Sequence, residues 1–284
     1  MNESQPIARG PILDWGRQDI EQRLLFPGGR FTSVNGFLSG ITAAMLTAAF
    51  YGCLCTPWLR GTIVDKIFTQ RGPTQHATTF LFFWCLVILV IKWSKLRFQR
   101  KALNLRVIPD EVGFVLSTAT VDRVLNRIHE AIDDPRNFIL FNRLVVALSN
   151  LRNLGHVGDV DDIIRSQATQ DEAAIDTSYS LLQGFVWAIP VLGFIGTVLG
   201  LSEAIGQFSN VLGAAQDVSQ ISSALRGVTA GLATAFDTTL VALVAALVIQ
   251  LLMTVMRKNE EEFLDAAMEY GLKNVVGRLR IARD

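Results

Sequence analysis

Apolar residues are concentrated in four stretches of the chain, and this uneven distribution is the first indication of its fold. The stretches cover residues 36–56, 78–91, 184–202 and 227–256. A bilayer core about 30 Å thick requires roughly 20 apolar residues in a helix. The second stretch is shorter, but Trp93 and Leu96 extend it if Lys92 snorkels to the interface; a buried soluble helix is the alternative there. The pattern therefore predicts an all-α integral membrane protein with four transmembrane helices.

The residues between and after these stretches show mainly helical spacing of apolar positions. Helices are expected within 110–134 and over 137–154, a turn at 155–159, and a third helix that starts near 159–162 and runs through Tyr179 into the third span. Residues 257–284 continue the fourth helix. The N-terminal residues 15–26 form an amphipathic helix on the membrane surface or part of a disordered tail.

The predicted organisation is an N-terminal cytoplasmic tail (1–35), transmembrane helices 1 and 2 with a short periplasmic loop (36–96), a helical cytoplasmic region (97–180), transmembrane helices 3 and 4 (181–256) and a cytoplasmic C-terminal helix (257–284).

Basic residues set the expected orientation in the membrane. The 26 basic and 26 acidic residues cancel, so bulk charge suggests no nucleic-acid partner. Cations follow the second and fourth spans, and such flanks stay in the cytoplasm. They are Lys92, Lys95, Arg97, Arg100, Lys101, Arg106, Arg257 and Lys258. Both chain ends and the region 92–180 are therefore expected inside, although the mildly basic 57–77 loop argues weakly for the opposite.

Motifs for an enzyme or a bound cofactor are not found in the sequence. It has no nucleotide-binding glycine loop and no His-Glu-x-x-His zinc motif. His76, His129 and His156 are scattered along the chain. Cys53 and Cys55 are two residues apart, which makes side chains on a helix point apart, so packing is favoured over metal or redox chemistry. We therefore expect that the protein binds no metal or cofactor and is not an enzyme.

Small residues repeat along the third and fourth spans and indicate close helix packing. Candidate packing positions are Gly193, Gly196, Gly200, Gly227 and Gly231. Such spacing lets helix backbones approach each other.

Pro190 lies in the inner half of the third span. It removes a backbone hydrogen bond and permits a kink or a hinge.

Polar residues in these two spans are the sharper signal. Thr197 and Thr234 both lie roughly 10 Å below the outer surface at a rise of 1.5 Å per residue. Asp237 is the only charged residue in 227–256, and with Thr234 and Thr238 it forms a polar stripe. A charge at the centre of a span costs roughly 2.5–3.5 kcal/mol and often marks an ion path. The alternative roles for Asp237 are a structural hydrogen bond to a neighbouring subunit and a permanently protonated acid.

The third and fourth spans resemble the MotA/TolQ/ExbB proton-channel family. The residues that carry the resemblance are IPVLGFIGTVLGL (189–201) and GLATAFDTTLVALVAAL (231–247). The resemblance implies that Thr197 and Thr234 line a proton channel and that Pro190 falls on a proline of the flagellar stators. Relatives commonly have a small or apolar residue where this chain has Asp237.

The resemblance also implies a mechanism and partners. Five copies of the chain would surround the single membrane helices of MotB-, ExbD- or TolR-like subunits in the bacterial inner membrane. An aspartate on the partner would carry protons inward and so turn the ring. Asp237 would lie on or beside this path, with Thr238 one turn deeper. Sodium as the transported ion is an alternative.

Three other functional classes compete with this motor hypothesis. A stand-alone transporter would more often show inverted repeats and several intramembrane charges. A structural scaffold has no need for Asp237, and a membrane enzyme lacks a nucleophile–base pair. The process that the motor would power stays open.

Overall fold

The computed structural model describes residues 13–23, 28–29, 31–105, 107, 116, 118–154, 158–212 and 218–278. Regular structure in these residues is helical. The α-helices are α1 (Trp15–Gln18), α2 (Ile20–Arg23), α3 (Gly36–Leu54), α4 (Ile63–Thr69), α5 (Pro73–Ala102), α6 (Thr118–Ala131), α7 (Ile139–Leu154), α8 (Gly158–Ser178), α9 (Ser180–Leu212) and α10 (Val218–Asn274). The chain divides into a first unit (Met1–Asn35, Val90–Tyr179, Met256–Asp284) and a second unit (Gly36–Leu89, Ser180–Val255).

Four of the helical segments are long and apolar enough to cross a membrane, which confirms the predicted fold class. They are Gly36–Leu54, Pro73–Ala102, Val160–Gly206 and Leu225–Asn274. The second span is a helix of 30 residues, so the short apolar stretch understated its length. Helix α10 has 57 residues and is about 86 Å long at 1.5 Å per residue. Because a bilayer core is only about 30 Å thick, much of α10 lies outside it.

Local signals explain where the helices around the loop between the first two spans begin. The hydroxyl of Thr62 accepts a hydrogen bond from the Asp65 amide and caps α4. Asp65 itself accepts hydrogen bonds from the Gly61 amide and from Thr69, and these lower the pKa of its carboxyl. Gly72 has a φ of +85°, a conformation that glycine adopts readily. Pro73 then starts α5, where its missing N–H costs nothing.

The first unit has its own hydrophobic core, to which the N-terminal residues contribute. Trp15 is 2% exposed, and its ring lies 5.5 Å from Phe98 and 5.3 Å from Phe138. The predicted amphipathic helix 15–26 is two short helices, and residues 24–27 lie outside the described part. For residues 13–23 both expected alternatives, a surface helix and a disordered tail, are wrong because Trp15 is buried in this core.

Helices α6, α7 and α8 pack through apolar residues of this core, including Val124, Ile128 and Leu144. The helix expected within 110–134 is present as Thr118–Ala131, whereas Val112 and Val115 lie outside the described residues. The expected turn is wrong at positions 158 and 159, where α8 has already begun; residues 155–157 are not described. Helices α8 and α9 are separated at Tyr179, so the predicted unbroken passage is interrupted there.

Lys92 does not snorkel, contrary to the expectation from sequence. Its side chain is fully buried, and its ammonium donates to Glu260 at 3.2 Å and to Ser178 at 2.8 Å. The Tyr179 hydroxyl donates to the other Glu260 oxygen at 2.6 Å. Burying a cation is costly unless an anion compensates it, and Glu260 supplies that anion from α10. Lys95 is likewise buried and pairs with Glu21 at 2.5 Å.

Candidate ion-conducting site

Helices α9 and α10 pack antiparallel through their small residues. A Cβ atom at Gly193 would lie 2.5 Å from the Ala242 Cβ, and one at Gly200 would lie 3.0 Å from the Gly231 carbonyl oxygen. A Cβ at Gly196 would lie 2.7 Å from the Thr238 hydroxyl. The absence of side chains at these positions therefore lets the two backbones meet and sets their register.

This register places Thr197 opposite Thr239. The Thr197 hydroxyl contacts the Thr239 hydroxyl and also lies 3.2 Å from the carbonyl oxygens of Gly193 and Ala235. Thr239 in turn donates to the Gly193 carbonyl at 3.0 Å. The two spans thus share a hydroxyl–hydroxyl contact between otherwise apolar surfaces.

Thr234 and Thr238 lie along the neighbouring turns of α10. The Thr234 hydroxyl donates to the Ala230 carbonyl at 3.1 Å. Thr238 is 1% exposed and donates to the carbonyls of Thr234 and Ala235. Both hydroxyls therefore satisfy backbone oxygens of their own helix, as threonines in spans commonly do. The threonine that faces Thr197 is Thr239, five residues further along α10 than Thr234, because the glycine contacts fix the register of the two spans.

Asp237 forms an ion pair with Arg71, which precedes the second span. The distance from the Arg71 Nη2 to the Asp237 Oδ2 is 2.7 Å, and the two side chains are 21% and 30% exposed. The other terminal nitrogen of Arg71 donates to the Thr234 hydroxyl at 2.9 Å. The carboxylate is therefore compensated within one chain, as is usual for acids in membrane helices.

A cavity of about 750 Å³ adjoins this group. Its lining includes Arg71, Thr234, Gly200, Gly227 and Gly231. Gly227 is thus placed on the cavity wall, while the other four candidate glycines contact the opposite helix. The cavity therefore borders the guanidinium and Thr234, the first residue of the polar stripe.

Pro190 lies inside α9, which is continuous from Ser180 to Leu212. Its side chain is half-buried. The role of Pro190 as a hinge stays a prediction.

Sequence reasoning missed Arg71 and Thr239. Arg71 was counted only as a loop charge, although an intramembrane acid predicts a basic partner nearby. Thr239 was overlooked beside Thr238 because the register of the two spans depends on three-dimensional contacts between glycines.

These contacts define a class of protein: a multi-pass helical membrane protein in which hydroxyls lie at the contact between two spans, and an arginine compensates a carboxylate on one of them. No group of three His, Cys, Asp or Glu side chains suited to a metal ion occurs among the described residues.

Residues 142–269 match the MotA/TolQ/ExbB proton channel family and carry its domain. The match confirms the resemblance seen in the third and fourth spans, and it extends to α7 and α8. This family is of the channel and transport type. No curated protein and no solved structure matches the chain.

Proposed function

We propose that the chain is the proton-channel subunit of an ion-driven rotary motor in the bacterial inner membrane. The observation that carries the proposal is the Thr197–Thr239 hydroxyl contact between α9 and α10, inside the segment that matches the channel family. A family match alone would support a channel-type protein; the hydroxyl contact supports a route between these two spans.

Threonine hydroxyls suit a proton route because each one both donates and accepts hydrogen bonds. In the proposed route, Thr197 supplies a hydroxyl from α9, and Thr234, Thr238 and Thr239 supply hydroxyls from α10. Asp237 lies beside the route, held by Arg71. Each proton that crosses 100 mV releases about 2.3 kcal/mol, which can drive a step between packed states.

The proposed assembly is a homopentamer around a single-span MotB-, ExbD- or TolR-like subunit with a membrane aspartate. Large apolar side chains on α9 and α10 support the need for neighbours and lipid: Phe194 is 65% exposed and Phe236 is 64% exposed. Side chains of this kind require lipid or protein around them. Both chain ends and the region 97–180 would lie in the cytoplasm.

The first experiment is the native mass of the complex, purified in mild detergent from its own host. Five copies with two copies of a single-span protein would support the motor. A monomer or dimer that still conducts ions would point instead to a stand-alone transporter.

Proton conduction is measured on the same complex in vesicles with an internal pH dye. Thr197→Val should reduce proton flux by more than tenfold, because it removes the hydroxyl at the contact between the two spans. Thr254→Val is the matched control: Thr254 is exposed and its only described bond is to the Gln250 carbonyl of its own helix. Equal flux in both variants would exclude the proposed route.

A further inference from the structure

Arg71 occupies two oxygens that would otherwise suit a metal cation. One terminal nitrogen donates to the Thr234 hydroxyl at 2.9 Å and the other to the Asp237 carboxylate at 2.7 Å. Hard cations bind carboxylate and other oxygen ligands of this kind. A carboxylate and a hydroxyl on consecutive turns of one helix, beside an open cavity, are the start of such a site.

The position of the guanidinium is set by the backbone that follows Arg71 and by the two acceptors of its side chain. Gly72 turns the chain with a φ of +85°, and Pro73 begins α5 immediately afterwards. The Arg71 side chain is about four-fifths buried, and its planar fork matches two separate acceptors at once. Lysine, a single point charge on a flexible stem, could not hold both oxygens in this way.

We propose that Arg71 is an ion-selectivity residue, a tethered cation that fills the oxygen site of Asp237 and Thr234 and excludes sodium from it. Protons still exchange along the hydroxyls, since they need no coordination shell. The consequence for transport rests on the proposed channel function, whereas the exclusion of sodium from this site rests only on the contacts of Arg71.

The direct test is sodium binding to the purified full chain. Thermal unfolding is followed in NaCl, KCl and choline chloride at one ionic strength for the wild type and for Arg71→Gln. The wild type should show no sodium-specific stabilisation. Arg71→Gln should show a midpoint that rises with sodium concentration and then saturates, because sodium replaces the lost guanidinium. Broadening of the ²³Na resonance by this variant alone is the second readout.

Two controls separate the site from general charge effects. Arg60→Gln removes an exposed cation from the same loop and should behave as the wild type. Arg71→Gln combined with Asp237→Asn removes the carboxylate and should abolish the sodium response. A response that persists in this double variant would place the sodium elsewhere and overturn the proposal.

The remaining outcomes also decide the question. Sodium-specific stabilisation of the wild type would overturn the proposal. So would an Arg71→Gln variant that unfolds at the same temperature in sodium chloride and in choline chloride, because sodium should stabilise a site that has lost its guanidinium. None of these measurements needs a partner or proton flux, so failure of the motor function would be seen separately in the native mass and in the flux assay.

Discussion

At the residue scale, the Thr197–Thr239 contact is the most specific feature of the candidate site. Three hydroxyls of α10, those of Thr234, Thr238 and Thr239, are within six residues; Thr238 packs against Gly196 of α9, whereas Thr239 forms hydrogen bonds with groups of α9. Its hydroxyl has an acceptor on each side, the Gly193 carbonyl and Thr197. A side chain that connects two spans in this way is better placed for proton transfer than one that bonds only its own helix.

Substitutions of Thr239 should therefore separate the effect of side-chain volume from the effect of the hydroxyl group. Thr239→Val keeps the volume and removes the hydroxyl, so proton flux through the reconstituted complex should fall by more than tenfold. Thr239→Ser keeps the hydroxyl and should retain most of the flux. If serine and valine reduce flux equally, packing rather than the hydroxyl matters at this position.

The buried Lys92–Glu260–Tyr179 group is the second feature at this scale. The Lys92 ammonium also lies 4.2 Å from the centre of the Tyr179 ring. Since Glu260 accepts from both residues, it holds together α5, the α8–α9 junction and α10 within the first unit. The group does not belong to the candidate ion route, and we expect it to act through stability.

Glu260→Gln should lower the free energy of unfolding by about 3–5 kcal/mol, because it leaves the buried Lys92 charge without an anion. Tyr179→Phe removes one hydrogen bond to a charged group and should cost about 1.5–3 kcal/mol. Unfolding in detergent, followed by circular dichroism, gives both values. The control on the same helix is Glu262→Gln, which breaks exposed pairs with Arg100 at 3.6 Å and with Lys258 at 4.0 Å and should cost less than about 1 kcal/mol.

At the element scale, the glycines of α9 and α10 decide how closely the two spans pack. A Cβ at Gly231 would lie 2.6 Å from the Ala204 Cβ and 2.9 Å from the Gly200 carbonyl oxygen. The second atom belongs to the backbone, so it cannot move aside without a shift of the helix. By contrast, a Cβ at Gly184, on α9, meets no atom within 4 Å.

Gly231→Ala should therefore lower the unfolding midpoint and reduce proton flux, because it forces α9 and α10 apart. Gly184→Ala should leave flux unchanged and stabilise the helix by roughly 0.5–1 kcal/mol through the better propensity of alanine. Both variants add one methyl group to a span, so the comparison isolates its position. Equal effects of the two would show that the close approach at Gly231 is unimportant.

Pro190 allows a separate prediction about movement of α9. Pro190→Ala restores a backbone N–H to an otherwise regular helix. If the proline acts as a hinge, the variant should unfold at a higher temperature yet drive less work, measured as rotation or transport per proton in the reconstituted complex. A variant with higher stability and unchanged work would leave Pro190 without a role in movement.

The sequence predicts elements of this protein better than contacts between them. Four spans and the long α10 follow from the clustering and period of apolar residues, which local physics determines. Lys92 illustrates the limit: beside an apolar stretch it indicates a snorkelling cation, but Glu260 lies 168 positions away along the chain. Asp237 is similar, since its unusual cost is visible in the sequence while the identity of its partner, Arg71, depends on the fold.

At the scale of the whole molecule, the described residues form two compact units with different chemistry. The first unit has a core that includes Trp15, Phe98 and Phe138 and buries ion pairs such as Arg143–Asp171 at 2.6 Å. The second unit contains the candidate ion site and exposes large apolar side chains on its helices. Exposed apolar side chains of the second unit suit contact with lipid, in agreement with the candidate spans to which they belong.

Orientation in the membrane is the prediction that belongs to this scale. From the basic flanks we predict that residues 97–180 and 257–284 lie inside, which would put the loop between α3 and α5 outside. Cys55, at the end of α3, is exposed, so a membrane-impermeant maleimide should label it in right-side-out vesicles. Cys53 is replaced by serine to leave one reactive thiol, and the buried Cys85 should stay unlabelled without denaturant.

Glu261→Cys, at an exposed position of α10, should react only in inverted vesicles. If the two positions exchange sides, the Arg71–Asp237 pair and its cavity would face the cytoplasm, and the direction assigned to proton entry would be reversed.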